Sequence, residues 1–423
     1  MDATDVTLLG VGKMGEAAVE RWVAAGRRVN AWNRSPERAQ RIAGASVTAV
    51  AELAGAVAGV PVVVSMLTDG PALRSVLIDQ GAIAAMSPGA TVVDLSTVDV
   101  ASSEAVAAEA ARCGVRYVRG AVSGTAAVIR AGAAGLLLSG PEDALAAARP
   151  ILDDITPNQQ VVGGAEESRV VKLATNLMLA GTMELLAEAI VMAEASGVPR
   201  ETMLGALDST VISSRFVTYK GTALRARDYT TTFRTADMHK DVALALGQGD
   251  EVGVPMPLTA GVRELLAAAC DEGWADTDFL VLTRLLQSRA GRAVDHAVEI
   301  DVADDHTVIR TRRTMPTDAF PDTAKSIVGS RLVIDEIQDW GPADADGSRS
   351  AAVKLVLDGL PMALIGEVRI RPNPAGSGSI QTLDGDLRAN IPLLGGRIEK
   401  LAMPAVDAGF DIEALLLNEW LFD

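Results

Sequence analysis

The sequence predicts three regions in succession: an α/β region built on a mostly parallel sheet, an all-α region, and an α+β region of strands followed by a helix. Over the first 160 residues, short apolar runs alternate with amphipathic segments, which is the order expected of a sheet with helices on both faces. From Glu166 apolar residues recur at helical spacing, and after Arg292 strand-like runs return. We therefore expect domains over residues 1–163, 164–291 and 292–423.

Each element of the first region has its own signal. The continuous apolar runs VTLLG, VPVVVSML and ATVVDLS are typical of parallel strands that are buried on both faces. The segments RRVNAWN, VRYVRGAV and GLLLSG predict three more strands. EAAVERWVAAG carries apolar residues at helical spacing and ends at Gly26, and PERAQRIAG predicts a short helix. This alternation predicts a doubly wound sheet.

A glycine pattern lies at the first strand-to-helix turn. Gly10, Gly12 and Gly15 fit G-x-G-x-x-G where a strand ends and a helix begins. In a dinucleotide site the first glycine permits the tight turn, the second lets a pyrophosphate approach, and the third allows close helix–strand contact. The other interpretation is a glycine-rich turn without a ligand, and the glycines alone favour neither.

The end of the second strand favours a Rossmann-type, cofactor-binding interpretation. NAD sites usually place Asp or Glu there to hold the ribose hydroxyls, whereas this chain reads Trp32-Asn33-Arg34-Ser35. Arg34 and the Ser35 hydroxyl can hold a 2′-phosphate, so we expect NADP (NADPH) as the cofactor and regard NAD as the weaker candidate. The alternative is that Arg34 is a solvated surface residue.

The second region begins with one long helical stretch, ESRVVKLATNLMLAGTMELLAEAIVMAEASG, and continues with RETMLGALDS, TADMHKDVALALGQGDEVG and PLTAGVRELLAAACDEG. Within the long helix, Lys172 and Asn176 are four residues apart and share one face. Burial would lower the pKa of Lys172 and make it a proton donor or acceptor near neutrality. Alternatively, its ammonium group extends into solvent, and the spacing alone leaves both possibilities open.

Charge and composition exclude several classes of partner. The net charge is −17, from 38 basic and 55 acidic residues, and binding to nucleic acid or to an anionic membrane needs clustered cations. We therefore expect neither partner. Two distant cysteines, Cys113 and Cys270, and no apparent signal peptide predict a cytoplasmic protein. The three histidines form no cluster with the cysteines, so no metal site is expected.

Five motifs in order resemble the β-hydroxyacid dehydrogenases, which include 3-hydroxyisobutyrate dehydrogenase, glyoxylate/succinic semialdehyde reductase and tartronate semialdehyde reductase. The motifs are GVGKMG near the start, DLST at residues 94–97, VSG at residues 122–124, the Lys172–Asn176 pair, and Phe233 followed by Lys240-Asp241. The resemblance covers about residues 3–291.

The resemblance implies an NAD(P)-dependent enzyme that transfers a hydride between the nicotinamide and a small β-hydroxyacid, semialdehyde or keto acid. It implies that Lys172 gives or takes the substrate proton and that Asn176 holds the substrate. The implied substrate-carboxylate site is Ser123, Gly124 and Thr125. The implied cofactor contacts are Gly10, Val11, Gly12, Lys13, Met14, Gly15, Asn33, Arg34, Ser35, Met66, Leu67, Ser96, Thr97 and Lys240. Family members commonly pair through the helical region, so the resemblance also implies a homodimer.

The chain departs from the family pattern at two places. The substrate loop usually has S-G-G and then G-A, but here it reads SGTAAV, and the usual two asparagines of the lysine helix are Thr175 and Asn176. We expect a pocket of different shape. The related imine reductases generally lack the lysine, so Lys172 argues against that alternative. A cofactor-binding module without catalytic activity is the other alternative, and Lys172 argues against it too.

The third region is a strand-rich tail. HTVIRTRRTM, SRLVIDEIQDW, SAAVKLVLDG, MALIGEVRIRP and SIQTLDGDLRANIP predict strands, and GGRIEKLAMPAVDAGFDIEALLLNEWL predicts a C-terminal helix. The segments RTMPTDAFP, IQDWGP and PLLGGRIEKL resemble a START-like, helix-grip domain of unknown function. Such domains begin with elements missing here, so we expect a truncated copy with a structural or interaction role. The alternative is a carrier of lipids or other apolar ligands.

Overall fold

The computed structural model describes residues 5–290, 295–303, 306–316, 331–358, 362–373 and 379–389. The chain divides into two compact units. One unit combines Met1–Leu185 with Ala226–Val281, and the other combines Leu186–Arg225 with Leu282–Asp423. The predicted C-terminal helix lies outside the described residues.

An eight-stranded sheet forms the centre of the first unit. Its strands are β1 (Val6–Leu9), β2 (Val29–Trp32), β3 (Val47–Ala49), β4 (Val62–Ser65), β5 (Thr91–Asp94), β6 (Arg116–Ser123), β7 (Gly135–Ser139) and β8 (Gln159–Gly163). They are ordered β3-β2-β1-β4-β5-β6-β7-β8. Neighbouring strands are parallel except for the antiparallel pair β6–β7. The predicted doubly wound, mostly parallel sheet is confirmed.

Helices cover both faces of this sheet. They are α1 (Lys13–Ala24), α2 (Pro36–Arg41), α3 (Leu53–Val57), α4 (Gly70–Arg74), α5 (Ala82–Ala85), α6 (Val100–Arg112), α7 (Ala126–Arg130) and α8 (Glu142–Ile155). Successive residues of a strand point to opposite faces, so Val62 and Val64 join the core under α1 and α8, whereas Val63 joins the core under α6. This double burial explains why the strands are continuously apolar.

The direction of strand order reverses between β1 and β4, and such a reversal opens a crevice at the carboxyl ends of the strands. Gly10 follows β1 with a φ of +105°, and a Cβ atom there would lie 2.3 Å from the Met66 carbonyl oxygen. A Cβ atom on Gly15 would lie 2.4 Å from the Gly10 carbonyl oxygen. These two glycines are therefore required by close backbone contacts.

In the described part of the chain, six α-helices follow this sheet: α9 (Glu167–Ala195), α10 (Arg200–Asp208), α11 (Arg215–Arg225), α12 (Thr235–Glu251), α13 (Pro257–Ala269) and α14 (Leu282–Arg289). By length and composition, α9 could span a membrane, with a mean hydropathy of 1.4 over its most apolar stretch. Half of that stretch is buried inside the protein, as in the core helix of a globular domain. The predicted all-helical region after the first sheet is confirmed.

The second unit contains a six-stranded antiparallel sheet. Its strands are β9 (Asp295–Val302), β10 (Thr307–Pro316), β11 (Arg331–Trp340), β12 (Arg349–Leu357), β13 (Met362–Pro372) and β14 (Ser379–Ala389), and each pairs with its sequence neighbour. One face carries a core that includes Val353, Leu355 and Leu364, and α14 contacts β10. The predicted strand-rich region is confirmed, and the structure shows that its strands pair antiparallel.

Several short elements were not predicted from the sequence: β3, β8, β9, α11 and α14. Strand β8 is a half-exposed edge strand, QQVVG, and so lacks a continuous apolar run. Helix α11, RFVTYKGTALR, contains β-branched residues and a glycine, which have low helix propensity. In both cases tertiary packing, and not local preference, decides the conformation.

Candidate active site

The glycine turn is held by Asn33. Its Oδ1 atom accepts a hydrogen bond from the Val11 amide at 3.0 Å, and its Nδ2 atom donates to the Ser35 carbonyl oxygen at 3.1 Å. Asn33 thus links the turn after β1 to the turn after β2, and its contact with the cofactor stays a prediction. At Gly12, the residue before α1, a Cβ atom would meet no other atom within 4 Å, which leaves room for a ligand at the start of the helix.

The remaining residues predicted around the dinucleotide differ in exposure. Lys13, Arg34 and Ser35 are exposed, and Met14 is half-buried. Because Asn33 ties its turn to the glycine turn, Arg34 and Ser35 lie close to the start of α1. These side chains are available to a ligand.

The turns after β4 and β5 are joined by buried polar contacts. The Ser96 hydroxyl donates to Asp94 Oδ1 at 2.6 Å and accepts from the Leu67 amide at 2.8 Å. Ser96 is 3% exposed, and its hydroxyl is used within the protein. The Ser96 hydroxyl therefore shapes the turn, and the lining of the cofactor by Leu67 and Ser96 stays a prediction.

Lys240, on α12, ties the helical segment to the same turns. Its Nζ atom donates to the Thr68 and Thr97 carbonyl oxygens, both at 3.0 Å, and forms an ion pair with Asp241 Oδ1 at 3.0 Å. The turns predicted to line the cofactor, including Thr97, are therefore joined to α12 by one ammonium group.

Lys172 is on α9, and its side chain reaches the carboxyl end of β6. Its Nζ atom donates to the Val122 carbonyl oxygen at 3.0 Å, so the side chain is directed into the protein and not into bulk solvent. Removal from water lowers the pKa of Lys172, Asp241 acts to raise it, and Lys240 lowers it further. The amine can therefore exchange a proton closer to neutral pH than an ordinary lysine can.

Asn176 lies one turn beyond Lys172 on the same face of α9. Its Nδ2 atom donates to Asp241 Oδ2 at 2.5 Å, and both side chains are almost fully buried. Burial raises the pKa of Asp241, whereas Lys240 lowers it. Within the described part of the chain, the buried Asn176 Oδ1 accepts no hydrogen bond.

The predicted carboxylate loop follows Val122 directly. Ser123 is the exposed last residue of β6, and Gly124 has a φ of +134°. The Thr125 hydroxyl accepts from the Val128 amide at 3.4 Å and caps α7. The loop therefore presents the Ser123 hydroxyl and the Gly124 backbone beside the Val122 carbonyl that anchors Lys172, while the Thr125 hydroxyl is used as a helix cap.

Three residues of this arrangement were not singled out as site residues from the sequence: Asp94, Arg169 and Asp241. The only available signal was spacing, because Arg169, Lys172 and Asn176 fall at intervals of three and four on one helical face. Asp94 and Asp241 stand in the DLST and Lys240-Asp241 motifs, but their partners Arg169 and Asn176 are remote in sequence, and no local pattern identifies the pairing.

Comparison with known proteins agrees with this geometry. Residues 5–164 match a family model described as the NAD binding domain of 6-phosphogluconate dehydrogenase. Residues 167–286 match the NAD-binding family of NADP-dependent 3-hydroxyisobutyrate dehydrogenase. Residues 258–421 match a protein family of unknown function, DUF2505.

Similar proteins cover the first two thirds of the chain. Glyoxylate/succinic semialdehyde reductase 1 of Arabidopsis thaliana is 28% identical over 65% of this chain and 96% of its own length. 3-Hydroxyisobutyrate dehydrogenase of Pseudomonas aeruginosa is 28% identical over 68% of this chain and 99% of its own length. The structure of Mycobacterium tuberculosis 3-hydroxyisobutyrate dehydrogenase with L-serine aligns with a TM-score of 0.62 at 28% identity, over 68% of this chain and all of that one.

One assignment accounts for the ordered motifs and for the doubly wound sheet with its following helices. The matching family models and these relatives support the same assignment. Residues 5–286 belong to the β-hydroxyacid dehydrogenase family of NAD(P)-dependent oxidoreductases.

Proposed function

We propose that this protein is an NADP-dependent reductase and dehydrogenase that interconverts a small semialdehyde or keto acid and the corresponding hydroxyacid, with Lys172 as the proton donor and acceptor. The single observation that carries the proposal is the setting of Lys172. Its Nζ atom is anchored 3.0 Å from the Val122 carbonyl oxygen, at the start of the substrate loop, and its pKa is lowered by burial.

The residues at the carboxyl ends of β1 and β2 fit a dinucleotide. Gly12 leaves space before α1, where backbone amides and the helix dipole attract phosphate oxygens. Lys13 and the backbone of Met14 would lie beside the pyrophosphate, and the Met66 and Thr97 turns beside the nicotinamide end. When bound, the nicotinamide dinucleotide supplies or accepts the hydride.

The chain's own residues then handle the proton and the orientation of the substrate. During reduction, the Lys172 ammonium gives one proton to the carbonyl oxygen as the carbon becomes CH–OH, and the amine regains a proton from solvent. The Ser123 hydroxyl and the Gly124 amide hold the substrate carboxylate. Asn176 would orient the substrate beside Lys172, and Asp241 holds the Asn176 amide in place.

The preference for NADP follows from Arg34 and Ser35, which are exposed where NAD sites carry an acidic residue. An Arg34→Ala change should raise the Kd for NADPH by about 10- to 100-fold, because a hydrogen bond to a charged group contributes about 1.5–3 kcal/mol. The Kd for NADH should change little. Titration of protein fluorescence with both cofactors measures this, and equal losses for the two would contradict a 2′-phosphate site.

A substrate panel tests the reaction itself. The full-length protein is incubated with NADPH and, in turn, glyoxylate, succinic semialdehyde, other short semialdehydes and a cyclic imine, and the loss of NADPH absorbance is followed. We expect turnover with a carboxylate-bearing aldehyde or keto acid. Turnover with the cyclic imine alone would refute the proposal.

We further propose that the protein forms a homodimer through α9. Val171, Met178 and Leu185 recur every seven residues and are 36%, 63% and 55% exposed, which forms an apolar stripe. Gly181 lies within the stripe, and a Cβ atom there would meet nothing within 4 Å, so a second helix can approach closely. Sedimentation should give the mass of two chains for the wild type and of one for Met178→Asp, whereas a monomeric wild type would refute the proposal.

A further inference from the structure

A fully buried ion pair lies directly beneath the candidate active site. Arg169 NH2 donates to Asp94 Oδ2 at 2.5 Å, and the two side chains are 1% and 0% exposed. The guanidinium group also donates to the Ser96 and Gly120 carbonyl oxygens at 2.8 Å, and to the hydroxyl oxygens of Tyr117 and Ser103 at 3.0 and 3.3 Å. All three guanidinium nitrogens thus donate hydrogen bonds, to strands and turns of the sheet and, at Ser103, to helix α6.

The other oxygen of Asp94 organises the turns after β4 and β5. Asp94 Oδ1 accepts from the Ser65 hydroxyl at 2.7 Å and from the Ser96 amide and hydroxyl at 3.1 and 2.6 Å. Ser96 in turn fixes the Leu67 amide. One carboxylate therefore connects α9, through Arg169, with both turns that are expected to line the nicotinamide end of the cofactor.

Arg169 also lies next to the proposed proton donor. It precedes Lys172 by three residues on α9, about 4.5 Å along the helix axis and on the same face. The two side chains dock on one strand, because Arg169 donates to the Gly120 carbonyl oxygen and Lys172 donates to that of Val122. The Arg169 contacts consequently set the height and rotation of α9 at the point where it presents Lys172.

Burying this pair has a physical cost, since desolvation of two charges offsets much of their attraction, and apolar residues of similar volume often stabilise a fold equally well. The geometry that the ion pair imposes explains its presence better than a contribution to stability does. A planar guanidinium with several fixed donors defines an orientation that apolar packing would leave looser.

We propose that Arg169 is a positioning residue, which, through Asp94, holds Lys172 and the cofactor-lining turns in fixed register so that proton and hydride transfer to one substrate remain aligned. The inference rests on the proposed function of Lys172. Arg169 contacts neither substrate nor cofactor in this scheme, and it acts through the residues that do.

A matched pair of variants separates positioning from stability. Arg119 forms a second, nearly buried ion pair with Glu166 at 2.7 Å, just before the start of α9, and among the described residues its side chain makes no hydrogen bond to Ser96 or Asp94. Arg169→Met should lower kcat on the order of 100-fold, which is the effect of a displacement of about 1 Å in the reacting groups. Arg119→Met should lose stability but retain kcat per folded molecule.

Two kinetic readouts accompany the comparison. With 4-deuterated NADPH, Arg169→Met should show a larger primary isotope effect on kcat than the wild type, because misalignment slows the hydride step, while KM for the carbonyl substrate changes much less than kcat. Arg169→Lys, which retains the charge, should recover part of the loss in kcat. If Arg169→Met does not fold, Arg169→Lys replaces it in the comparison with Arg119→Met. An unchanged isotope effect, or equal losses of kcat in the Arg169 and Arg119 variants, would overturn the proposal.

A measurement independent of turnover distinguishes this inference from the proposed function. The rate of Lys172 acetylation by acetic anhydride is followed by mass spectrometry, with exposed Lys13 as the internal reference. Lys172 should react faster in Arg169→Met than in the wild type or in Arg119→Met. If the protein reduces no carbonyl compound, the proposed function is wrong. The difference in Lys172 acetylation between the variants still tests whether Arg169 positions Lys172. Equal Lys172 labelling in all three proteins would refute that positioning role.

Discussion

The two sheets of this protein bury polar groups in opposite ways. In the eight-stranded sheet, the ion pair between Asp94 and Arg169 joins residues 75 positions apart. In the six-stranded sheet, the buried hydrogen bonds from Gln338 to Glu336 and from Trp340 to Gln338 join residues two positions apart on one strand, and Arg313 on the adjacent strand pairs with Glu336.

The difference follows from topology. Parallel strands need long crossover connections, so their carboxyl ends collect turns from distant parts of the chain and can assemble a site. A meander pairs each strand with its sequence neighbour, and the buried polar contacts named above join residues of one strand or of adjacent strands. The first sheet gathers Lys172, Asn176, Asp241 and Lys240 around the ends of its strands. The second provides a stable surface without a comparable convergence of side chains among the residues that the structure describes.

The sharpest way to test this contrast is to remove the proposed proton donor. Lys172→Ala should lower kcat by about 10²- to 10⁴-fold, the usual contribution of a general acid or base. The Kd for NADPH should remain nearly unchanged, because Lys172 contacts β6 and lies apart from the glycine turn. Steady-state kinetics and cofactor titration measure both quantities, and exposed Arg112→Ala is the control. Undiminished turnover would mean that the first sheet does not use this lysine.

A smaller effect is expected from pH alone. Burial lowers the pKa of Lys172, so the ammonium form is lost as pH rises through that lowered value. Reduction of the carbonyl compound needs the ammonium form and should slow by about tenfold per pH unit above this pKa, whereas oxidation of the hydroxyacid needs the free amine. Oxidation should accelerate as pH rises toward this pKa and level off above it, where the amine is already free. Profiles of kcat/KM in both directions test this, and parallel profiles would argue against a shared lysine.

The second sheet should show the smallest effect on turnover. Leu355 is 6% exposed within the second core, and Leu355→Ala should reduce the free energy of unfolding by about 2–5 kcal/mol through lost burial and a residual cavity. We expect kcat per folded molecule to stay at the wild-type value. Calorimetry measures the loss of stability, and the reductase assay measures kcat. A fall in kcat that parallels the loss of stability would mean that the two sheets do not differ in their effect on turnover.

Local patterns predicted much of the first unit. Apolar runs identified six of its eight strands, and the glycine spacing identified the first strand-to-helix turn. They missed β3 and β8, which are a three-residue strand and a half-exposed edge strand. The partnership of Asp94 with Arg169 could not be predicted, because it depends on which strand ends become neighbours after the crossovers form. The roles of Ser96 and Asn33 in bracing turns have the same origin.

The close approach at Gly10 also bears on how this enzyme could be redesigned. With 2.3 Å between a Cβ atom at that position and the Met66 carbonyl oxygen, no larger residue can be accommodated without moving two strands. Exchange of one nicotinamide cofactor for the other should therefore be sought by varying positions 34, 35 and 38, where exposed side chains can change without disturbing the backbone.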